Sequence, residues 1–274
     1  MGPIRLVGSN TTRCRRIRLH RRLVFLMKEY LKMAQDKNIN DSGISTLFFD
    51  LDHTLWDFEL NSSLALEETL ENLSLVGRNG LTAENFIKRY HVINDRMWDQ
   101  YRRGKIEKSA LRSRRFDEAL ALFSIRENGL AERFADMYLS LCPVKKNLFP
   151  GAQDVLENLS ARYPVWLLTN GFSEVQAVKI ENPGIKPYIS GMVTSEEAGA
   201  KKPSREIFDY AVKRAGAEAS SSAMIGDDLE NDVHAALAAG FARAVWFNPS
   251  GSQGDVSDSR ISVVKSLEEL AGIF

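Results

Sequence analysis

The feature that most constrains the fold is the alternation of short apolar runs with amphipathic stretches from residue 44 onward. The apolar runs end in polar or small residues, which is typical of buried parallel strands. They lie at 44–49, 164–168, 192–194, 223–225 and 244–247, and a last run at 261–264 with a short helix over 266–272 completes one edge. Stretches of helical period occupy 151–162, 173–180, 204–215 and 230–239. Because strands alternate with helices, the sequence predicts an α/β fold with a doubly wound, parallel, Rossmann-like sheet.

A segment of 90 residues at 58–147 interrupts this alternation after the first strand and has almost no β signal. Helical periods cover 59–76, 82–102, 107–123 and 129–141, and glycine-containing turns separate them. We therefore predict an inserted four-helix-bundle cap. Because the segment leaves after one strand and returns before the next, the cap is expected above the carboxyl ends of the strands, where ligands of such folds bind. The predicted domains are an α/β catalytic core at 44–57 and 148–274 and a helical cap at 58–147.

Residues 1–43 are predicted to be a basic, disordered N-terminal extension. Residues 1–33 carry nine Lys and Arg against one acid, so they contribute +8 and the rest of the chain −8 to a formal net charge of zero. Blocks of like charge repel one another and rarely pack. A plain tail, or a functional start at Met33, is favoured over an organelle address or a nucleic-acid arm. No function is assigned to this segment.

Composition and charge exclude several classes of protein. Hydrophobic residues make up 44% of the chain and charged residues 26%, which is ordinary globular composition. No apolar run approaches the about 20 residues that a membrane-spanning helix needs, so a membrane protein is not expected. The body of the chain is acidic, so polymeric nucleic acid is not an expected partner. Cys14 and Cys142 are too few for a disulfide framework, which favours a reducing, cytoplasmic location.

Two carboxylates follow the first predicted strand directly. Asp50 and Asp52 are separated by one residue, and side chains at this spacing in an extended segment project to the same side. Two like charges at one site are unfavourable unless a cation neutralises them or one carboxyl group stays protonated. Both outcomes are useful in phosphoryl transfer, although a pair of surface acids in an ordinary turn would show the same spacing.

Polar residues also follow three later strands. Thr169 and Asn170 precede a glycine where a helix begins, an arrangement that suits an anionic oxygen and is equally typical of a turn with an N-cap. Lys202 lies just ahead of another predicted helix, from which it could reach a phosphate and a carboxylate, or remain a solvated surface residue. The fourth strand ends in an acidic cluster at 227–232 that could ligate a hard cation.

In this order and spacing, the four segments resemble the haloacid dehalogenase-like hydrolase superfamily, whose motifs match Asp50/Asp52, Thr169, Lys202 and Asp227/Asp232. The resemblance covers residues 45–274, and the helical insertion is similar to that family's first type of cap. Four stretches also resemble the branch of 5′-nucleotidases that dephosphorylates pyrimidine nucleoside monophosphates: DLDHTLWDFELNS, LTNGFSEVQAVKI, SEEAGAKKP and MIGDDLENDVHAA. The chain departs from that branch at Ser204-Arg205, where Asp-Pro is usual, and at Asp228, where serine is common.

The resemblance implies a role in catalysis for each matching residue. Asp50 would be the nucleophile that forms an aspartyl-phosphate. Asp52 would protonate the leaving oxygen and then deprotonate the hydrolytic water. Thr169 and Lys202 would stabilise the charge on the equatorial oxygens of the transferring group. From the residues themselves, the Asn170 backbone is a further expected phosphate contact, beside the positive end of the helix that follows.

The resemblance also implies Mg²⁺ as the cofactor. Its ligands would be the carboxylates of Asp50 and Asp227 and the backbone carbonyl of Asp52. Asp232 would not bind the metal itself but would orient Lys202 or a metal-bound water molecule. Asp228 would be a further acid near the metal, or a carboxylate that stabilises a helix N-terminus.

The sequence predicts the chemistry more closely than the substrate. A small phosphate ester is the expected partner, and a nucleoside 5′-monophosphate is the favoured one. The alternatives are a sugar-phosphate or phosphoglycolate phosphatase, a phosphomutase similar to β-phosphoglucomutase, and a catalytically inert phosphate-binding module. Trp56 lies on the linker to the predicted cap, a position from which it could stack on a base. Oligomeric state is not predicted.

Overall fold

The computed structural model describes residues 43–274, and residues 44–274 form one compact unit. The basic extension predicted over 1–43 lies outside the described residues, apart from Gly43. No helix in the described part of the chain is long and apolar enough to cross a membrane.

A single sheet of six parallel strands organises the described residues, which confirms the predicted α/β class. The strands are β1 (Thr46–Phe49), β2 (Val165–Thr169), β3 (Gly191–Thr194), β4 (Ser222–Gly226), β5 (Arg243–Phe247) and β6 (Ile261–Val264). Their order across the sheet is β3-β2-β1-β4-β5-β6. The chain thus winds outward from β1 in one direction and then returns to the other side of β1. In open sheets of this kind, ligands bind beside the carboxyl ends of the strands where the winding reverses.

The register of β1, β2 and β4 aligns the carboxyl ends of these strands, which the candidate site residues follow. Phe49, the last residue of β1, pairs with Leu167 on one side and with Ile225 on the other. Every residue of β1, β2 and β4 is buried, as expected for central strands covered on both faces. The segments that follow these three strands therefore start at nearly the same level of the sheet.

Four α-helices occupy the segment 58–147, where helical periodicity predicts them. They are α1 (Phe58–Asn72), α2 (Ala83–Arg102), α3 (Lys108–Ala121) and α4 (Leu130–Leu141). Side-chain caps help to fix where the first two begin: Asp57 accepts a hydrogen bond from the Leu60 backbone N–H, and Thr82 accepts one from the Asn85 N–H. The division of the compact unit into a core and a cap at residues 58 and 147 stays a prediction.

The inserted helices share an aromatic core. The Phe116 ring lies 5.0 Å from Phe134, 5.1 Å from Tyr90 and 5.2 Å from Tyr138, measured between ring centroids. Phe86 packs on Phe134 at 5.4 Å. These five rings are buried and form an apolar core on which the inserted helices pack.

The remaining helices pack beside the sheet or connect its strands. They are α5 (Ala152–Ser160), α6 (Ser173–Glu181), α7 (Ser195–Ala198), α8 (Arg205–Ala215) and α9 (Ala235–Ala238), with 3₁₀ turns at Arg78–Gly80, Lys186–Tyr188, Ala219–Ser221 and Leu267–Gly272. The helix predicted over 230–239 begins as a π-helical segment, Leu229–His234, before it continues as α9. Such widened turns are often found at functional sites, and this one directly follows β4.

Candidate active site

A buried lysine joins two of the predicted acids at the strand ends. The Lys202 Nζ donates hydrogen bonds to Asp50 Oδ1 and to Asp232 Oδ1, each at 2.6 Å. All three side chains are almost completely buried. Burial acts to lower the pKa of Lys202, but the two carboxylates outweigh it and raise that pKa overall. The lysine is therefore charged, and it holds residues that lie 30 and 152 positions away in the sequence around one nitrogen atom.

The position of Lys202 is set from the end of the second strand. The Asn170 side-chain amide accepts a hydrogen bond from the Lys202 backbone N–H at 2.8 Å and donates one to the Lys202 carbonyl at 3.0 Å. This paired contact fixes the lysine backbone against the end of β2. The Asn170 side chain thus holds the lysine loop, whereas the predicted phosphate contact concerned the Asn170 backbone.

Thr169 lies at the same edge with its hydroxyl oxygen already used twice as an acceptor. It accepts from the Gly171 backbone N–H at 3.1 Å and from Gln176 Nε2 at 2.8 Å. Because a hydroxyl has one proton to donate, the Thr169 O–H remains available for an oxygen acceptor. The side chain is buried and faces the same cavity as Asp50 and Lys202.

Asp52 is paired with two residues that the sequence analysis missed. Lys179 Nζ lies 2.5 Å from Asp52 Oδ1, and Gln176 Nε2 donates to Asp52 Oδ2 at 2.9 Å. Burial acts to raise the pKa of Asp52, but the Lys179 ammonium and these hydrogen bonds outweigh it and lower the pKa. Both residues belong to α6 and are buried. A signal for them was present in the sequence. The two long polar side chains are three residues apart, so they lie on one face of a short helix that follows a central strand.

The prediction that Trp56 binds substrate is wrong for this structure. The chain turns back after β1, so that Trp56 forms isolated bridges with Asp52 and with Leu148. Its indole is fully buried, donates to the Lys145 carbonyl at 3.3 Å and lies 4.2 Å below the Lys179 ammonium. The ring therefore supports Lys179 and does not line the cavity. The position of Trp56 on the linker did not reveal whether its ring would face the cavity or the protein interior.

Asp227 completes a group of three neighbouring carboxylates. One oxygen each of Asp50, Asp227 and Asp232 lie within 4.8 Å of one another. Thr54 Oγ1 donates to Asp227 Oδ1 at 3.1 Å, and the Trp246 indole N–H donates to the Asp227 carbonyl at 2.8 Å. Burial, followed by the nearby charge of Asp50, raises the pKa of Asp227 to about 8. The surrounding protein groups therefore do not compensate the negative charge that Asp227 carries when it is ionised.

The charge balance and donor chemistry fit a hard divalent cation. Three ionised carboxylates beside the single Lys202 ammonium would leave two negative charges uncompensated. Carboxylate oxygens are the ligands that Mg²⁺ prefers, usually together with water and a substrate phosphate. Asp50 and Asp227, both predicted as ligands, lie in the positions to hold such an ion.

Asp232 and Asp228 have structural roles near Asp227. Asp232 accepts from Lys202 through one oxygen and from the Asp228 backbone N–H through the other, at 3.2 Å, so its carboxylate positions the lysine. A Cβ atom at Gly226 would overlap this carboxylate, which explains why glycine ends β4. The Asp228 side chain accepts from the Glu230 and Asn231 backbone N–H groups, at 3.1 and 2.9 Å. Asp228 therefore caps a helix N-terminus, and it also lines the cavity, where its charge contributes to the raised pKa of Asp227.

A cavity of about 370 Å³ separates the strand ends from the inserted helices. Asp50, Thr169 and Lys202 line its sheet side. Phe58, Asn94, Trp98 and Arg115 line the opposite side, and Phe172 belongs to the loop after β2. The volume is within the range of small-molecule sites. A phosphate bound at Asp50 would therefore have the rest of its ester directed toward the inserted helices.

Comparison with known proteins agrees with this geometry. The family model for haloacid dehalogenase-like hydrolases matches residues 44–240, which include the ends of β1, β2 and β4. The chain belongs to the haloacid dehalogenase-like hydrolase family. The matched segment contains Asp50, Thr169, Lys202 and Asp227, the residues that carry the sequence resemblance.

Individual relatives and a solved structure extend the comparison. The chain is 32% identical to the pyrimidine 5′-nucleotidase YjjG of Escherichia coli over 82% of its own length and 95% of that protein. It is 30% identical to the pyrimidine 5′-nucleotidase PynA of Streptococcus pneumoniae, over 82% of this chain and 92% of that protein. A crystal structure of the HAD-hydrolase YfnB of Bacillus subtilis bound to magnesium is similar, with a TM-score of 0.75, 27% identity, and coverage of 84% of this chain and 98% of that chain.

The raised pKa of Asp227 predicts how Mg²⁺ changes thermal stability. A carboxyl group whose pKa rises from 3.8 to about 8 on folding favours the folded state at low pH, and this contribution is lost as the pH rises through 8. Mg²⁺ binds the ionised group, so its stabilising effect should be larger at pH 9 than at pH 6. At ten times its Kd, Mg²⁺ should stabilise the fold by about 1.4 kcal/mol and raise Tm by roughly 4 °C at pH 9.

Asp227→Asn should remove most of this Mg²⁺-dependent shift and raise the Tm of the metal-free protein at pH 9. Asp209→Asn, at an exposed residue paired with Arg205, is the matched control and should respond to Mg²⁺ like the wild type. A metal-dependent Tm shift of the same size in Asp227→Asn would contradict the assignment of this carboxylate as a ligand.

Proposed function

We propose that the chain is a Mg²⁺-dependent phosphomonoester hydrolase that acts through an aspartyl-phosphate, with pyrimidine nucleoside 5′-monophosphates as its substrates. The observation that carries the proposal is the buried Lys202, which Asp50 and Asp232 share at the base of a cavity that Thr169 and Asp227 also line. Membership of the hydrolase family supports the reaction type. The names of two relatives at about 30% identity support the substrate.

In the first step, Asp50 attacks phosphorus. Lys202 holds Asp50 Oδ1, so Oδ2 forms the new bond to phosphorus while the bond from phosphorus to the ester oxygen breaks. Asp52 gives its proton to the departing oxygen, which leaves as an alcohol. The Thr169 hydroxyl and the Lys202 ammonium bind the equatorial oxygens, where negative charge is concentrated.

In the second step, Asp52 is the base. It takes a proton from a water molecule whose oxygen bonds to phosphorus, and the bond between phosphorus and Asp50 breaks to release inorganic phosphate. The contacts from Lys179 and Gln176 hold Asp52 in the ionised form that this step requires. For the first step, the charge of a phosphate dianion bound beside Asp52 raises its pKa and favours the protonated form.

The carboxylates of Asp50 and Asp227 and the backbone carbonyl of Asp52 would hold Mg²⁺. When bound, the ion supplies positive charge that lets the carboxylates lie together and that offsets the repulsion between an anionic nucleophile and an anionic phosphate. Asp232, with both oxygens engaged, keeps Lys202 in place beside this group.

The cavity is suited to an ester whose leaving group carries a flat aromatic ring. The rings of Phe58, Trp98 and Phe172 all line it, and the Phe172 and Trp98 centroids are 5.5 Å apart. Aromatic faces of this kind stack on nucleobases. A reducing, cytoplasmic location is part of the same proposal, supported by the buried free thiol of Cys142.

The substrate proposal is tested by phosphate release from a panel of esters with Mg²⁺: UMP, CMP, AMP, glucose 1-phosphate, glucose 6-phosphate and phosphoglycolate. We expect turnover of UMP or CMP, with activity abolished by a chelator and by Asp50→Asn. Full activity of Asp50→Asn would exclude the covalent mechanism. Interconversion of the glucose phosphates with little free phosphate would indicate a mutase, and metal binding without any turnover would indicate an inert module.

The role of Asp52 predicts a dependence on the leaving group. An alkoxide leaving from UMP needs a proton, whereas nitrophenolate leaves as a stable anion. Asp52→Asn should therefore lower kcat/KM for UMP by about 10²- to 10⁴-fold and for p-nitrophenyl phosphate by at least tenfold less, because general acid catalysis contributes factors of this size. Equal losses for both substrates would show that Asp52 does not donate the proton in the first step.

A further inference from the structure

A buried arginine on the inserted-helix side of the cavity has no role in the chemistry above. Arg115 belongs to α3, is 5% exposed and lines the cavity. Charged side chains are almost never buried to this degree unless they are paired. Within residues 43–274, however, Arg115 makes no ion pair with any carboxylate.

The contacts of Arg115 hold the guanidinium without satisfying all of its donors. Nη1 donates to Asn94 Oδ1 at 2.7 Å. The guanidinium carbon lies 4.9 Å from the Phe116 ring centre, 5.6 Å from Tyr138 and 5.9 Å from Tyr90, which gives cation–π support. Nε is buried and has no hydrogen-bond partner among the described residues. Because Nε is closed off from the cavity, the donor that can reach a bound molecule is Nη2, which makes no hydrogen bond within the described residues.

Asn94 adds a second donor beside the first. Its Oδ1 accepts from Arg115 and also from the Tyr90 hydroxyl at 3.4 Å, which fixes the orientation of the amide. Its Nδ2 also interacts with the Asp95 carboxylate, which leaves one of its two N–H groups for a bound molecule, and the residue lines the same cavity. Arg115 and Asn94 together present N–H donors, and no free acceptor, to the end of the cavity away from Asp50.

The charge around this donor pair favours a neutral acceptor over an anion. Glu59 and Asp95 also line the cavity, and neither pairs with Arg115. A carboxylate or a second phosphate on the substrate would meet these two acids. A carbonyl oxygen accepts hydrogen bonds from both donors without adding a full negative charge.

We propose that Arg115 and Asn94 bind the C2 carbonyl oxygen of a pyrimidine base and thereby select pyrimidine over adenine nucleotides. This inference rests on the proposed function, because it requires the phosphate to be bound at Asp50. Uracil, thymine and cytosine all carry a carbonyl at C2, whereas adenine carries none. The donor pair is a specificity site, separate from the residues that perform phosphoryl transfer.

The test compares three nucleotides and one ester without a base. UMP, 2-thio-UMP and 4-thio-UMP differ only in which carbonyl oxygen is replaced by sulfur, a weaker acceptor, and p-nitrophenyl phosphate reports on the phosphate site alone. In the wild type, 2-thio-UMP should be the poorest of the three nucleotides. In Arg115→Met, kcat/KM for UMP and 4-thio-UMP should fall about 10- to 100-fold, as expected for loss of a charged hydrogen bond. The 2-thio-UMP value should change least, and p-nitrophenyl phosphate should change less than about threefold.

Two further variants separate recognition from folding. Asn94→Asp is isosteric, removes the amide donor and gives Arg115 a carboxylate partner, so it should stay folded and lose UMP activity to a similar extent. Arg112→Met removes an exposed arginine of the same helix, paired with Asp136, and should behave as wild type.

Specific results would overturn the inference. They are equal losses on all four substrates in Arg115→Met, a larger effect on 4-thio-UMP than on 2-thio-UMP in the wild type, or wild-type UMP activity that neither variant changes. Wild-type protein that hydrolyses p-nitrophenyl phosphate but no pyrimidine nucleotide would instead overturn the proposed function itself. The wild-type and variant measurements therefore distinguish the two failures.

Discussion

The site depends on one buried ammonium group shared by two buried carboxylates. Lys202 contacts Asp50 after β1 and Asp232 after β4, and Asn170 after β2 holds its backbone. Removal of one partner from such a buried arrangement leaves an uncompensated charge, which is strongly destabilising. The same interactions thus join the ends of three strands and orient Asp50, the proposed nucleophile. The same arrangement leaves Asp227 with uncompensated charge, and this is the physical basis for expecting a divalent cation there.

The sequence predicted the sheet and the strand-end residues because both follow from local patterns. Apolar runs of strand length, followed at once by polar residues, place side chains at one edge of any parallel sheet. Asp50, Thr169 and Lys202 were therefore predictable, and the structure brings them to one cavity. The inserted helices were also predictable, since their period is helical and glycines separate them.

The residues that the sequence did not predict are those whose roles depend on distant packing. Trp56 is turned beneath Lys179 by bridges to the chain on either side, which its place on a linker could not reveal. Lys179 and Asp52 are 127 residues apart, and no local pattern connects a helix lysine with a strand-end acid. In the sequence, Arg115 is one more charged residue on an amphipathic helix, and only its burial among aromatic rings suggests the recognition role proposed above. The residues at the strand ends could be predicted from the sequence, whereas the candidate recognition residues could be identified only from how the helices pack.

The central claim is that Asp50 is the nucleophile in a site that also binds a divalent cation. A crystal structure with Mg²⁺ and beryllium fluoride, which mimics a phosphoryl group on a carboxylate, tests it most directly. Beryllium should be bonded to an Asp50 oxygen, with fluorines within hydrogen-bond distance of Thr169 Oγ1 and Lys202 Nζ and with Mg²⁺ ligated by Asp50 and Asp227. Beryllium fluoride bonded to another residue, or Mg²⁺ bound away from Asp227, would contradict it.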